Sequence, residues 1–299
     1  MVLGKLRWYD YLIKAINYFL LTVLSLATLL PCLNIVAKSM SSNWAVVSGK
    51  VYFIPVAFTV DTYIFALSGG HFFRAFNVSV FITIVGTFFA LLFTCMTAYP
   101  LSRSHLRGRK VILYAWVIVM LFSGGMIPNY LLYKGLRLLD TVFAMILPAV
   151  VSAYNLFIIK NYFETLPDAL EEAARIDGAS NFRVLFQIII PVSIPMLVTI
   201  GLFYMVGYWN DYFTARMYIT TPSLKPLQLY LYELITYSQQ VLENTGAAMT
   251  YDANDRLMNV TPDSTRAATI VLTTLPILMV YPFLQKYFIK GIVIGSVKG

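Results

Sequence analysis

Residues 164–191 read Glu164-Thr-Leu-Pro-Asp-Ala-Leu-Glu-Glu-Ala-Ala-Arg-Ile-Asp-Gly178, then Ala179-Ser-Asn-Phe-Arg-Val-Leu-Phe-Gln-Ile-Ile-Ile-Pro191. Leu166, Leu170, Ala173 and Ala174 recur at three- and four-residue spacing, which places them on one face of a helix. Thr165 stands where a cap is needed, with Pro167 in the first turn and Asp168 three residues on. Gly178 ends the helix by supplying a left-handed residue, and Ser180 starts a second one. The stretch predicts a short amphipathic helix with a sharp corner after it. Glu172 is expected to pair with a basic group, either a partner's or the local Arg175 or Arg183.

This charged stretch lies between long uncharged ones. Asp, Glu, Lys and Arg are missing from six runs, which predict membrane spans at about 15–37, 77–99, 111–130, 141–159, 192–210 and 267–285. Each approaches the roughly 20 residues that cross a hydrocarbon core. The whole chain agrees: of 299 residues 59% are hydrophobic and 12% charged, and the mean hydropathy is +0.72. A soluble domain carries about 25% charged residues, so this is an all-α polytopic membrane protein with a single transmembrane domain over 1–299. The two cysteines, Cys32 and Cys95, lie in apolar runs near opposite membrane faces and are read as free thiols. Residues 51–60 are too short to cross and aromatic enough to lie at an interface.

The net charge of +8 is read as topology rather than as a nucleic-acid surface. The first run follows Lys5, Arg7 and Lys14 but is too long for a cleavable signal, so it is a signal anchor and the first span. With the N-terminus inside, the inner segments hold 13 Lys and Arg and the longer outer ones 9. The cluster Arg103-Ser-His-Leu-Arg-Gly-Arg-Lys110 carries most weight. Six spans with both termini cytoplasmic follow. The loop 160–191 then faces in, and 216–266 faces out.

The spans hold no ionisable side chain of the kind that serves proton or ion coupling. Asp211 comes nearest, at the outer end of the fifth, with Arg216 available to pair with it. His71 and His105 lie in flanking loops without metal-ligand spacing. There is no phosphate-binding G-x-x-x-x-G-K-[ST] loop and no nucleophile–base arrangement. A secondary transporter would need intramembrane charges, and a membrane enzyme acting on glycan or lipid would need a catalytic constellation. Uphill transport would draw its energy from another chain.

Glu172-Ala173-Ala174, three residues, Gly178, nine residues, Ile188, one residue, then Ile190-Pro191 resembles the EAA signature of bacterial ABC importer permeases, with Ile190 where Leu is usual. Gly207-Tyr-Trp-Asn-Asp-Tyr-Phe213 resembles the Trp-Asn motif of carbohydrate permeases. Phe122-Ser-Gly-Gly-Met-Ile-Pro-Asn-Tyr130, Pro226-Leu-Gln-Leu229 and the C-terminal Tyr281-Pro-Phe-Leu-Gln-Lys-Tyr-Phe-Ile-Lys-Gly-Ile-Val-Ile-Gly-Ser-Val-Lys-Gly299 look like the complex-oligosaccharide branch, and within it the second permease of alginate importers. The resemblance covers nearly the whole chain. It implies a type I importer permease in the bacterial inner membrane, paired with a second, homologous permease. It also implies two ATPase subunits holding ATP and magnesium, a periplasmic solute-binding protein and an oligosaccharide substrate, with no cofactor in this chain. Glu171, Glu172, Ala173, Ala174, Asp177, Gly178 and Ala179 would then dock on an ATPase. An outer loop over 237–262, with Thr245, Gly246, Ala247 and Asn254, would touch the binding protein, and the tail 291–299 would reach towards the ATPases.

Tyr208, Trp209, Tyr212 and Phe213 are candidates for the substrate path, because sugar faces stack on aromatic rings, and Asn210 and Asp211 for polar roles there, because an unpaired polar group is costly. Most aromatics of a membrane protein pack or anchor at the interface instead.

Overall fold

The computed structural model of this chain describes residues 8–67, 71–245 and 261–296. Among them the chain is helical, without a strand. The helices are α1 (Trp8–Ser39), α2 (Asn43–Val47), α3 (Asp61–Leu67), α4 (His71–Ser102), α5 (Arg109–Leu121), α6 (Met126–Gly135), α7 (Val142–Ile146), α8 (Ala153–Glu164), α9 (Ala169–Ile176), α10 (Asn181–Val184), α11 (Ile190–Val192), α12 (Ile194–Asn210), α13 (Phe213–Tyr218), α14 (Leu227–Thr245) and α15 (Pro262–Ser296). They fall into two compact units: Met1–Ser68 with Glu233–Thr274, and Gly69–Tyr232 with Leu275–Gly299.

In the first unit α1 holds a 29-residue apolar segment, Tyr11–Ser39, with no part of its most apolar stretch covered by the chain. Ser25 and Thr28 return their hydroxyls to the carbonyls of Leu21 and Leu24, one turn back, so neither is left unpaired among apolar neighbours. Asn34 donates to the carbonyls of Val51 and Tyr52, and the Ser39 and Tyr63 hydroxyls meet at 2.8 Å. These bonds fold the segment after α1 back onto its end, around a small core of Ala37, Ala45, Val46 and Val51.

In the second unit α4 is the central helix. Its buried face includes larger residues such as Phe72, Ile82, Tyr99 and Leu101, but a row of small ones, Ser79, Thr83, Gly86, Thr87, Ala90, Thr94 and Ala98, recurs about every four positions. Lipid gives helices no hydrophobic reason to associate, so close packing across small residues has to supply the attraction. The main partner is α12: a Cβ placed on Gly86 would lie 2.9 Å from the Tyr208 ring, and one on Gly201 would lie 3.2 Å from Leu91 Cδ1. At one end of this unit Asp140, at φ +59, ties two loops together. Its N–H donates to the Tyr218 carbonyl, and its carboxylate accepts from the Thr220 and Thr221 N–H groups and the Thr221 hydroxyl. The Thr221 hydroxyl and backbone bonds hold the Asp140 carboxyl down at about 2.

Two expected spans are bent, and a third starts at a corner. The run 111–130 is broken between α5 and α6 with a bend of 113°; Gly125, at φ +83, sits in the break. The run 141–159 bends by 50° after residue 149, and Pro148 lies in the tight turn that ends the first half. The fifth run begins at α12, after an 87° corner. The run 267–285 lies within α15, which contains Pro276 and Pro282. The segment expected to be irregular from residue 237 is helical through Thr245, because neither Gly nor Pro interrupts it earlier. Gly246, Ala247 and Asn254 of the expected contact loop lie outside the described residues, as do 297–299 of the C-terminal tail. Both cysteines are free, Cys95 buried and Cys32 exposed.

Gly86→Ala should destabilise the protein. Overpacking costs about 1–3 kcal/mol, and the helix propensity gained offsets only about 1 kcal/mol of it. Gly201→Ala meets the end of a flexible leucine and should be neutral or slightly stabilising. Thermal unfolding midpoints in detergent check the contrast; equal shifts for the two variants would contradict it.

Candidate coupling site

The helix anticipated after Thr165 begins later, at α9. Thr165 instead closes α8, its hydroxyl donating to the Tyr162 carbonyl at 2.7 Å. Asp168 precedes α9 in helical geometry and makes no side-chain cap. Its carboxylate lies 3.6 Å from the Arg103 guanidinium instead.

The buried side of α9 is Glu171, 7% exposed, and Ala174, 8% exposed. The expected apolar face is therefore rotated: Leu170 and Ala173 are exposed, and Ile176 is 86% exposed. The cause is Arg103, which follows α4 and is itself only 8% exposed. Its Nε lies 2.7 Å from Glu171 Oε2, and its guanidinium sits 5.2 Å over the Tyr99 ring. Glu171 Oε1 accepts from Arg175 Nη2 at 2.6 Å and Nε at 3.1 Å. Arg175 Nη2 also donates to Asn181 Oδ1 at 3.0 Å, joining α9 to α10. Glu171, not Glu172, thus takes the local arginine, and Glu172 is exposed. Beside this network Glu164, at the end of α8, pairs with Lys160 and with Arg109 at the start of α5.

Electrostatics follow from this geometry. Burial alone would raise the Glu171 carboxyl, but the Arg175 hydrogen bonds and the charges of Arg103 and Arg175 outweigh it and hold it below the usual glutamate range. The same hydrogen bond raises Arg175. A buried carboxylate between two guanidiniums is ionised, and the three side chains act as one rigid joint.

The corner is backbone-encoded. Gly178, at φ +78, donates to the Arg175 carbonyl at 3.0 Å, and Ala179 donates to the Ala174 carbonyl at 2.9 Å. This paired closure needs a left-handed residue after Asp177. Nothing lies within 4 Å of a Cβ on Gly178, so φ alone requires the glycine. Ser180 caps α10 through the Arg183 N–H. Residues Leu185–Ile189 then form a wide π turn, which lets the helix accommodate Pro191. The Ser193 N–H, shared between the Ile189 and Ile190 carbonyls, marks the bend into α12.

The candidate path residues divide. Tyr208 and Trp209 are buried within the second unit. The Tyr208 hydroxyl donates to the Ile146 carbonyl at 2.9 Å, and Trp209 meets Phe76 edge-on at 6.0 Å. Asn210 is exposed and accepts from Gln228. Asp211 accepts from the Thr214 N–H and so starts α13, while Arg216 lies 4.7 Å over the Tyr232 ring. Asp211 and Arg216 have separate partners and are not the pair the sequence suggested. Tyr212 stacks on Tyr232 at 5.1 Å and meets Phe213 edge-on. Sequence reasoning missed Arg103, which it counted only as a topological charge, and Tyr204, which a four-residue spacing to Tyr208 would have flagged.

The described residues form helices broken within apolar runs, with a braced helix–Gly–helix corner between two of them, and the family that the chain matches makes it a membrane transport component. The chain matches the family described as binding-protein-dependent transport system inner membrane component over residues 1–294, and it belongs to that family. It is 45% identical over 274 residues to Protein LplC of Bacillus subtilis, covering 91% of this chain and 90% of that protein. It is 39% identical over 297 residues to the polygalacturonan/rhamnogalacturonan transport system permease protein YtcP of the same organism, covering 99% and 100%. In structure it superposes, with a TM-score of 0.83 and 33% identity, on a chain of a bacterial ABC transporter involved in the import of the acidic polysaccharide alginate, covering 95% of this chain and 99% of that one. The fold is that of a type I ABC importer permease.

Glu171→Gln should loosen α9, because Arg103 stays buried with only Asp168 left to face it. Breaking a buried pair costs about 3–5 kcal/mol, towards the lower end here because Arg175 reaches water. Exchange of the amides of residues 169–179 should accelerate, whereas Glu172→Gln should leave it unchanged. The Glu171 pKa is depressed, so its stabilisation is present above the ordinary glutamate range near 4.3 and is lost as pH falls through the lower folded value. Protection that already declines between pH 7 and 5 would contradict the assignment.

Proposed function

We propose that this chain is a permease subunit of an ATP-driven importer that carries oligosaccharides from a periplasmic binding protein into the cytoplasm. It spans the bacterial inner membrane six times with both termini cytoplasmic. It pairs with a second, homologous permease and docks on two ATPase subunits, which hold ATP and magnesium. The observation that carries the reading is α9 with its corner: braced from behind by Arg103 and Arg175, it leaves Leu170, Ala173 and Ile176 exposed in front. A helix held by buried charge on one face and bare on the other can receive a rigid-body push and pass it through the 87° corner into α12. Glu171 and Ala174, assigned to ATPase contact from the sequence, serve the brace. Glu172, Ala173 and Ile176 offer the outer contact.

Polymer-derived oligosaccharides are the substrate class, with acidic uronate oligomers foremost. The names carried by the 39% identical relative and by the superposed transporter support this class. Tyr212, Asn210 and Asp211 remain candidates near the path, and Thr245 stands at the edge of the loop assigned to the binding protein.

Ile176→Glu should weaken pull-down of the ATPase by on the order of ten-fold, the effect of about 1.4 kcal/mol. Gly178→Val should leave association intact but lower uptake per ATP hydrolysed, because a β-branched residue is strongly disfavoured at positive φ. The assay is the whole complex in liposomes, fed uronate oligomers or a neutral sugar. Unchanged association and uptake in both variants would reject the coupling role, and uptake of the neutral sugar alone would reject the acidic substrate.

Topology has its own test. Reporter fusions after Lys110 and Lys290 should read cytoplasmic, and one near Asn244 periplasmic. A cytoplasmic reading at Asn244 would overturn the six-span arrangement.

A further inference from the structure

The bend between the Val142–Ala149 segment and α8 frees backbone groups where hydrocarbon offers them no partner. Tyr204 and Tyr208, one turn apart on α12, serve the two sides of that bend. The Tyr208 hydroxyl donates to the Ile146 carbonyl, before the bend, at 2.9 Å. The Tyr204 hydroxyl accepts from the Ser152 N–H, after it, at 3.0 Å. Tyr204 also shares a hydrogen bond of 2.8 Å with the Thr94 hydroxyl of α4. Both tyrosines are buried, and Gly86 leaves just enough room for the Tyr208 ring.

We propose that Tyr204 and Tyr208 are positioning residues for transport: their hydroxyls lock α12 to the two halves of the broken helix, so that a displacement of α12 is transmitted to the bend. The spacing carries the argument. An i, i+4 tyrosine pair presents two hydroxyls along one face of a helix, and the two backbone groups that meet them flank the same bend. A pair serving packing alone would need the rings and not the hydroxyls. At its other end α12 joins the 87° corner, so movement of α9 carried along the chain through α10 and α11 reaches the second unit in α12. The proposal rests on the coupling role of α9 given above.

The test is the whole complex in liposomes, with Tyr204→Phe, Tyr208→Phe and the double variant. Each keeps its ring and loses one hydroxyl. Assembly with the ATPase and the half-saturating substrate concentration should stay within about two-fold of the parent, and uptake per ATP hydrolysed should fall about five-fold per single variant, the effect of one hydrogen bond. Thr94→Val leaves the Ser152 bond in place and should lower uptake per ATP by about two-fold or less, because only a secondary partner is lost. If Tyr204→Phe does not assemble, the Thr94→Val and Tyr208→Phe results decide. Phe variants that couple like the parent would overturn the proposal, as would a loss confined to substrate affinity. Failure of the Ile176→Glu and Gly178→Val effects would strike at the coupling role of α9 instead, so the two readings fail separately.

Discussion

Hydrocarbon offers no hydrogen bonds, so a chain that interrupts its helices inside a membrane has to give every freed backbone group an internal partner. This protein bends its apolar runs at three places, and its architecture is largely the answer to that constraint. At the bend near Pro148 the partners are tyrosine hydroxyls from α12. At the corner before α12 two prolines, which have no N–H to satisfy, flank a serine whose N–H is shared between two carbonyls. The bend at Gly125 uses the Ser123 hydroxyl as acceptor for the Gly125 N–H.

Close approach of α4 and α12 makes these partnerships possible. On α4, Gly86 leaves room for the Tyr208 ring and Thr94 meets the Tyr204 hydroxyl. A larger residue at Gly86 would press on the Tyr208 ring, whose hydroxyl reaches the Ile146 carbonyl. Packing and hydrogen bonding are therefore one problem here: the rings fill the groove and their ends satisfy the backbone.

Outside the apolar segments the same unit uses charge. Arg103 and Glu171 are 68 positions apart, yet they fix which face of α9 turns inward. A carboxylate held between two guanidiniums overrode the apolar pattern of Leu170 and Ala173, because burying a paired charge on one side leaves no room for those side chains there. The result is a helix with Leu170, Ala173 and Ile176 outward, suited to a protein partner rather than to the chain's own core.

From composition and local pattern the sequence by itself determined a great deal: an all-helical membrane protein, the positions of its apolar runs, and the corner at Gly178 with its cap at Ser180. Each of these depends on neighbours a few residues away, on hydropathy, on a positive φ or on a cap. The spacing from Glu172 to Pro191 was enough to show the family resemblance. What only the tertiary structure decided are the bends within the third and fourth runs, the inward face of α9, and the duties of Arg103, Tyr204, Tyr208 and Asp140. Those depend on groups far apart in the chain, and an uncharged run looks the same whether or not a distant tyrosine is ready to take up the hydrogen bonds that a break would free.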